Sequence, residues 1–321
     1  MVEDLVDGTS EGGLVWHYTD GPGLLSMVRT HVLWATASGY LNDRGEVSLG
    51  YHRLQEELDV RAAAGDEFAR SLLQRAREAD ADHSGPSPSS FFILSAAEHW
   101  DLLAMWRSYG GSGESYAVGI DPAATLRILC DPGAAALGGA GGTHLVQQRP
   151  WSPVRYVAEE QRALATAVFD GMENELAALR ARSDREGVTT KEAVLETMAV
   201  TLDDIEEALA LIEHQGFHDE REVRHCTVLL RPENLGAWTG VVRYRPTAYG
   251  MAPCLRLTGD TASSPTVQSS PLTDTAARLP IRCVAISPSP NGLAAERSLA
   301  AMLESHDYRI EVRRSPIPFR G

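Results

Sequence analysis

The chain has 321 residues, 43% hydrophobic and 23% charged, enough apolar content for one large core or two small ones. Its 29 basic and 44 acidic side chains leave a formal charge of −15, which argues against indiscriminate binding to nucleic-acid backbones. Lys191 is the only lysine, which removes most lysine-dependent chemistry, and no glycine loop precedes it as a phosphate-loop lysine needs.

Residues 1–12 are acidic and lack the apolar core of a leader, and no apolar run approaches the ~18 residues of a membrane span. Cys130, Cys226, Cys254 and Cys283 are far apart, with no Cys-x-x-Cys pair. A disulfide framework and a zinc knuckle are not expected, and a reducing cytoplasm is.

Gly13–Thr19 alternates as a strand, with Val15, His17 and Thr19 on one side and Leu14, Trp16 and Tyr18 on the other. Asp20-Gly21-Pro22-Gly23 reads as a cap and first turn for a helix carrying Leu24, Leu25, Val28 and Val32. A short strand at 33–36, a turn at 39–43 and helices from 46 to 81 follow, with a break at Gly65-Asp66. Phe91–Ser95 reads as a buried strand, 102–106 as helix and Tyr116–Ile120 as strand, with further strands near Leu145 and Val154. Glu159–Arg182 and Lys191–Gln215 keep helical spacing and predict a hairpin inserted at 158–215. Strand character returns at 222–230, 241–245 and 254–257. Residues 258–275 read as a mobile loop, 281–287 as strand, 293–305 as helix and 309–313 as a last strand. Mixed strands with segregated helices predict a single α+β domain over 1–321.

Four groups of residues carry chemistry. His17 and Thr19 share a strand face beside a helix N-terminus, fit to grip a sugar hydroxyl or to serve as core polar groups. Glu220, Glu222 and Arg224 alternate along a strand start, so their carboxylates need a cation between them: a salt-linked edge, or a site that stabilises developing positive charge. Trp106 and Tyr109, three apart on a helix near Asp101, either pack or offer a stacking surface. His214, His218, His225 and Cys226 fall within 13 residues, but the helix that would align the first two ends near Gly216, so no metal is expected. Separately, residues 221–256 hold Arg221, Arg224, Arg231, Arg243, Arg245 and Arg256 against Glu222 and Glu233, a locally basic stretch suited to a pyrophosphate-bearing ligand.

The strings His17-Tyr18-Thr19, Leu33-Trp34-Ala35-Thr36, Leu41-Asn42-Asp43 with Glu46, Phe92-Ile93-Leu94-Ser95, Trp106-Arg107-Ser108-Tyr109, Tyr116-Ala117-Val118-Gly119, Glu220–Arg224 and Ser315–Arg320 occur in order along nearly the whole chain. In that order they resemble a widespread bacterial family known only as domain of unknown function two-nine-seven-one. More distantly, His17-x-Thr19 with its following helix resembles the first motif of ADP-ribosyltransferases of the diphtheria-toxin and poly-ADP-ribose-polymerase type. Tyr18 stands where those have glycine.

That resemblance implies a split mixed or antiparallel sheet with flanking helices, and NAD as substrate. It makes His17 the ribose ligand, Thr19 a support for the nicotinamide pocket, Tyr40 or Tyr109 the stacking ring, Glu222 the catalytic carboxylate and Glu220 a helper toward the acceptor. Tyr18, Asn42, Ser95, Trp106 and Arg224 complete the expected substrate-binding set. The activity implied is ADP-ribosyl transfer or NAD hydrolysis, in a bacterial defence or toxin setting. The rival reading is a non-enzymatic binding module using 158–215 as its partner surface, and a fainter one is a metal-assisted hydrolase or nuclease.

Overall fold

The computed structural model describes residues 13–40, 44–81, 91–109, 113–134, 146–186, 204–205, 207–229, 238–247, 250–260 and 270–318. In chain order they form β1 (Val15–Asp20), α1 (Gly21–Thr30), β2 (Leu33–Ala37), α2 (Arg44–Ala63), α3 (Glu67–Ala81), β3 (Phe91–Ala97), α4 (Leu103–Tyr109), β4 (Ser115–Ile120), β5 (Leu126–Leu129), β6 (Val146–Gln148), β7 (Ser152–Pro153), α5 (Ala158–Glu186), β8 (Glu222–Leu229), β9 (Arg243–Thr247), β10 (Gly250–Gly259), β11 (Leu272–Thr273), β12 (Ile281–Ile286), α6 (Gly292–Ser305) and β13 (Glu311–Arg314). Short 3-10 turns occupy Ser38–Tyr40 and Gln215–Glu220. The fold is mixed α+β, built on one mixed parallel and antiparallel sheet.

Strand β3 is the pivot. One of its edges pairs with β8 over its whole length, from Phe91 opposite Val228 to Ala97 opposite Glu222. The other edge is divided: β2 takes Phe92 and Ile93, and β1 takes Ala97 through Trp16. Residues 94–96 lie between these two pairings, so β1 and β2, joined by α1, part company along β3. Beyond β2 the sheet continues through β10 to β9 and β5, and beyond β1 through β4 to β12 and β13.

Strand alternation sorts the side chains into layers. On one face Leu33, Ala35, Phe92, Leu94, Val118, Leu255 and Leu257 pack with Leu24, Met27 and Val28 of α1 and Leu299 and Leu303 of α6. On the other, Trp16, Tyr18 and Ala97 pack with Met105 and Trp106 of α4, and Phe91, Ile93, Cys226 and Val228 pack with Ala210. A third cluster, Leu54, Phe169, Met172, Ala208 and Leu209, joins α2 and α5 to residues 207–210.

The start of α1 follows from its sequence. The Asp20 carboxylate accepts from the Gly23 amide at 2.8 Å, and a Cβ at position 23 would displace the Thr19 hydroxyl and crowd the Asp20 cap. Asp20→Ala should cost about 1 kcal/mol. Urea denaturation measures this, and an unchanged midpoint would show that water serves the amide equally well.

Three expectations need correction. The second arm of the hairpin leaves the helix after Ala210 rather than at Gln215, because Leu211–Glu213 pair with Arg155 instead: Arg155 N donates to Leu211 O at 2.7 Å and Glu213 N to Arg155 O at 3.1 Å. Residues 187–203 of that arm lie outside the described residues. The 258–275 stretch is ordered at both ends. Thr258 and Gly259 complete β10, the buried Thr258 hydroxyl bonds both the carbonyl and the amide of Ala277, and Leu272–Thr273 run parallel to β5. Residues 261–269 lie outside. Finally, β12–α6–β13 is a parallel crossover unit whose two strands pair directly, and β1–α1–β2 and β3–α4–β4 likewise join strands of one direction through a helix.

Candidate functional site

The 3-10 turn Gln215–Glu220 is opened by His214, whose Nδ1 accepts from the Gly216 amide at 3.1 Å. It is closed by Arg221 in the left-handed region at φ 45°. That one residue breaks the strand alternation expected of Glu220 and Glu222. Glu220 stays half-buried at the rim, while Glu222 starts β8 pointing inward at 6% exposure.

Inside, Arg224 holds three acceptors. Its Nη2 donates to Glu222 Oε2 at 2.6 Å and Glu213 Oε2 at 3.3 Å, and its Nη1 to the Ala210 carbonyl at 2.6 Å. A buried guanidinium is costly unless acceptors meet it, and here both Nη atoms are met by acceptors. The Tyr156 hydroxyl accepts from the Glu222 amide at 2.9 Å. Glu222, expected to meet a substrate, is thus buried and ion-paired. The carboxylate of this cluster with solvent access is Glu220.

Tyr109, at the end of α4, donates to Glu220 Oε2 at 3.5 Å and is 37% exposed. Burial, then the charges of Glu220, Glu222 and Glu213, push its hydroxyl well above the ordinary tyrosine value, so it remains a proton donor. Tyr109, Glu220 and the Glu222–Arg224–Glu213 group form one acidic, aromatic-rimmed corner.

His17 lies across β3 from this corner, at the gap between β1 and β2. Its Nδ1 meets the Ser95 carbonyl at 2.8 Å. A carbonyl only accepts, so this contact fixes the proton on Nδ1 and leaves Nε2 as an acceptor. Burial and the charge of Arg245 hold the ring below the ordinary histidine pKa, and the Ser95 bond only partly offsets them. His17 is therefore neutral near pH 7. Ser95 stands directly opposite Arg224 in the β3–β8 ladder, while the pairing of Trp16 with Ala97 sets the backbone of His17 at the level of Ala96, so His17 reaches this part of β3 through its bond to the Ser95 carbonyl.

The remaining expected residues divide. Tyr18 is core: its hydroxyl donates to His99 O and accepts from Leu102 N, and its ring meets Trp106 edge-on at 4.6 Å. Trp106 is core as well. Its indole N–H bonds Asp101, which also accepts from Ser315 and so ties the C-terminal segment to α4. Ser95 contributes its backbone carbonyl, and Arg224 its charge to the buried group. Thr19 is half-buried over the start of α1, and Tyr40 is exposed on its 3-10 turn. Asn42 lies outside the described residues. The alternation of β1 directs His17 and Thr19 away from Trp16 and Tyr18, which share the α4 side with Ala97, the partner of Glu222.

The imidazole–thiol cluster separates. His214 is spent on its cap, His218 is exposed beside Tyr156, and successive His225 and Cys226 point to opposite faces of β8. Among the described residues no three His, Cys, Asp or Glu side chains are grouped to hold a metal ion. None of the described helices is long and apolar enough to cross a membrane.

Glu213 and Tyr156 escaped notice in the sequence. Glu213 fell inside the helical periodicity of 191–215, and Tyr156 stood in a stretch without a motif. Their nearness to an arginine and a glutamate far along the chain exists only once β8 has paired. Comparison with protein-family models, with curated proteins and with solved structures returns no match to this chain.

Proposed function

We propose that the chain cleaves the bond between nicotinamide and ribose in NAD, by ADP-ribosyl transfer or by hydrolysis, as a member of the two-nine-seven-one family with a transferase-like split sheet. The observation carrying this reading is the parting of β1 and β2 along β3, with a neutral His17 at the gap and Tyr109 and Glu220 across the same strand.

The roles follow from the chemistry. As the C1′–N bond breaks, nicotinamide leaves as a neutral ring with the bonding pair, and C1′ acquires oxocarbenium character. Glu220 stabilises that charge and Tyr109 faces the departing ring. His17 Nε2 accepts from a ribose hydroxyl. Water or an acceptor side chain then attacks C1′ and passes its proton to the Glu220 carboxylate, which returns it to solvent. Glu222 and Arg224 are positioning residues that fix the start of β8 and thereby Glu220.

Labelled NAD incubated with the full chain should release nicotinamide, and Glu220→Gln should lower the rate about a hundredfold with unchanged circular dichroism. No turnover and no binding at about millimolar NAD would overturn the reading. One observation favours the rival binding module: Arg224 binds both Glu213 and Glu222, so the acidic corner is in part its own structural seal.

A further inference from the structure

On the side of the sheet away from α1, strands β9, β10 and β2 gather arginines. The registers pair Arg243 with Cys254, Arg245 with Ala252, Cys254 with Thr36 and Arg256 with Trp34. Directly opposed residues and their second neighbours share a face, so Arg243, Arg245, Arg256, Thr36 and Trp34 all project to one side, while Leu255 and Leu257 take the core side.

The charges there are not balanced. Arg243 and Arg256 both turn to one carboxylate, Asp131, with Arg256 at 3.8 Å. Arg245 reaches over Cys254 to the neutral Thr36 hydroxyl at 2.8 Å. Two guanidinium groups thus share a single acid and the third meets only a neutral hydroxyl, and the Nε hydrogens of Arg245 and Arg256 are buried without an acceptor. An unanswered buried donor costs about 1–3 kcal/mol, so this arrangement is incomplete as a purely internal network. Arg243 and Arg256 nevertheless keep 29% and 23% of their side-chain surface, so the cluster is open to solvent. Like-charge crowding is felt there: burial and the neighbouring Arg243 hold Arg256 below its ordinary pKa.

We infer that Arg243, Arg245 and Arg256 form a site for a phosphoanhydride, the chemical unit of a nucleoside diphosphate, whose oxygens would take the unused Nε donors and displace Asp131 from its bridging position. Forked guanidinium donors suit such oxygens. Asp131, 54% exposed, already shows that a carboxylate fits between Arg243 and Arg256. The site lies within electrostatic range of His17, which feels Arg245. The assignment deepens the NAD reading and rests on it only for the ribosyl end of the ligand.

Calorimetric titration of the full chain with inorganic pyrophosphate, ADP and adenosine tests it. Pyrophosphate and ADP should saturate, and adenosine should not. Arg245→Gln and Arg256→Gln should each weaken pyrophosphate about tenfold, the loss of one charge-assisted pair. Arg282→Gln, a charge removed on β12, should change nothing. Asp131→Asn, an isosteric change of a 54% exposed side chain that leaves all three arginines in place, should tighten binding. No saturable binding of pyrophosphate or ADP to the wild type would overturn the site, as would equal affinity in wild type and Asp131→Asn. If pyrophosphate binds but NAD is not consumed, the anion site stands and the NAD reading falls. If NAD is consumed and folded arginine variants bind like wild type, the reverse holds.

Discussion

Arg224→Met should destabilise the protein by about 3–5 kcal/mol, the cost of removing one partner from a buried ionic group. Glu213 and Glu222, at 3% and 6% exposure, would then face each other without a cation, and the Ala210 carbonyl would lose its donor. Two carboxylates in that position relieve their repulsion by taking a proton, so the variant should regain stability on acidification where the wild type does not. Adding Glu222→Gln to Arg224→Met should restore part of the loss, since a neutral amide tolerates the site better than an unpaired charge. Urea denaturation with an unchanged m-value reads all three effects. A shift in Arg224→Met below about 1 kcal/mol would mean that water reaches the carboxylates and the group is not the sealed network described.

Histidine 225 governs the second large effect. It sits at 8% exposure in β8 against Trp151, with ring centroids 5.5 Å apart, and burial pushes its pKa down to about 4, partly offset by the backbone of Arg149. Its value in the unfolded chain is near 6.5. The unfolded state therefore binds a proton at a pH where the folded state refuses one. The stability tied to this residue is fully present above pH 6.5 and drains away as the pH falls from 6.5 toward 4, by about 3 kcal/mol in all. His17, also held low, acts in the same direction. His225→Phe keeps a ring against Trp151 and cannot titrate, so its stability should fall less steeply than that of the wild type between pH 7 and pH 4.5. Identical slopes would show that His225 is hydrated in the folded protein.

Local signals in the sequence were faithful wherever one residue's chemistry sufficed. The Asp20 cap, the break at Gly65, the alternation of Val15–Thr19 and the buried run Phe91–Ser95 all stand where the side chains alone place them. The signals that failed belong to tertiary pairing. Leu126–Leu129 and Leu272–Thr273 are too short to show a period, and each is a strand only because the other, or β10, lies beside it. Residues 211–213 keep helical spacing yet pair with Arg155. Arg221 in a left-handed conformation carries no advance signal, because non-glycine residues adopt it only where the surroundings compel them. That single angle decided which of two neighbouring glutamates stays within reach of solvent. For the candidate site, His17, Glu220, Tyr109 and the basic stretch were legible as residue types. That Arg224 would be a seal, and that Glu213 and Tyr156 would share it, was not.

The divided edge of β3 also sets an order of folding. Strand β3 is seven residues long, yet it is the meeting place of β1, β2 and β8, drawn from the beginning and the later part of the chain. A ribosome-bound chain that has released only β1 to β4 can close the N-terminal pairings, but the opposite edge of β3 stays bare until β8 emerges. Long-range closure of this kind is slow and leaves an apolar strand edge exposed while it waits. Phe91 and Ile93 would spend that interval uncovered, which makes this segment the point at which nascent protein is most open to aggregation and to capture by chaperones.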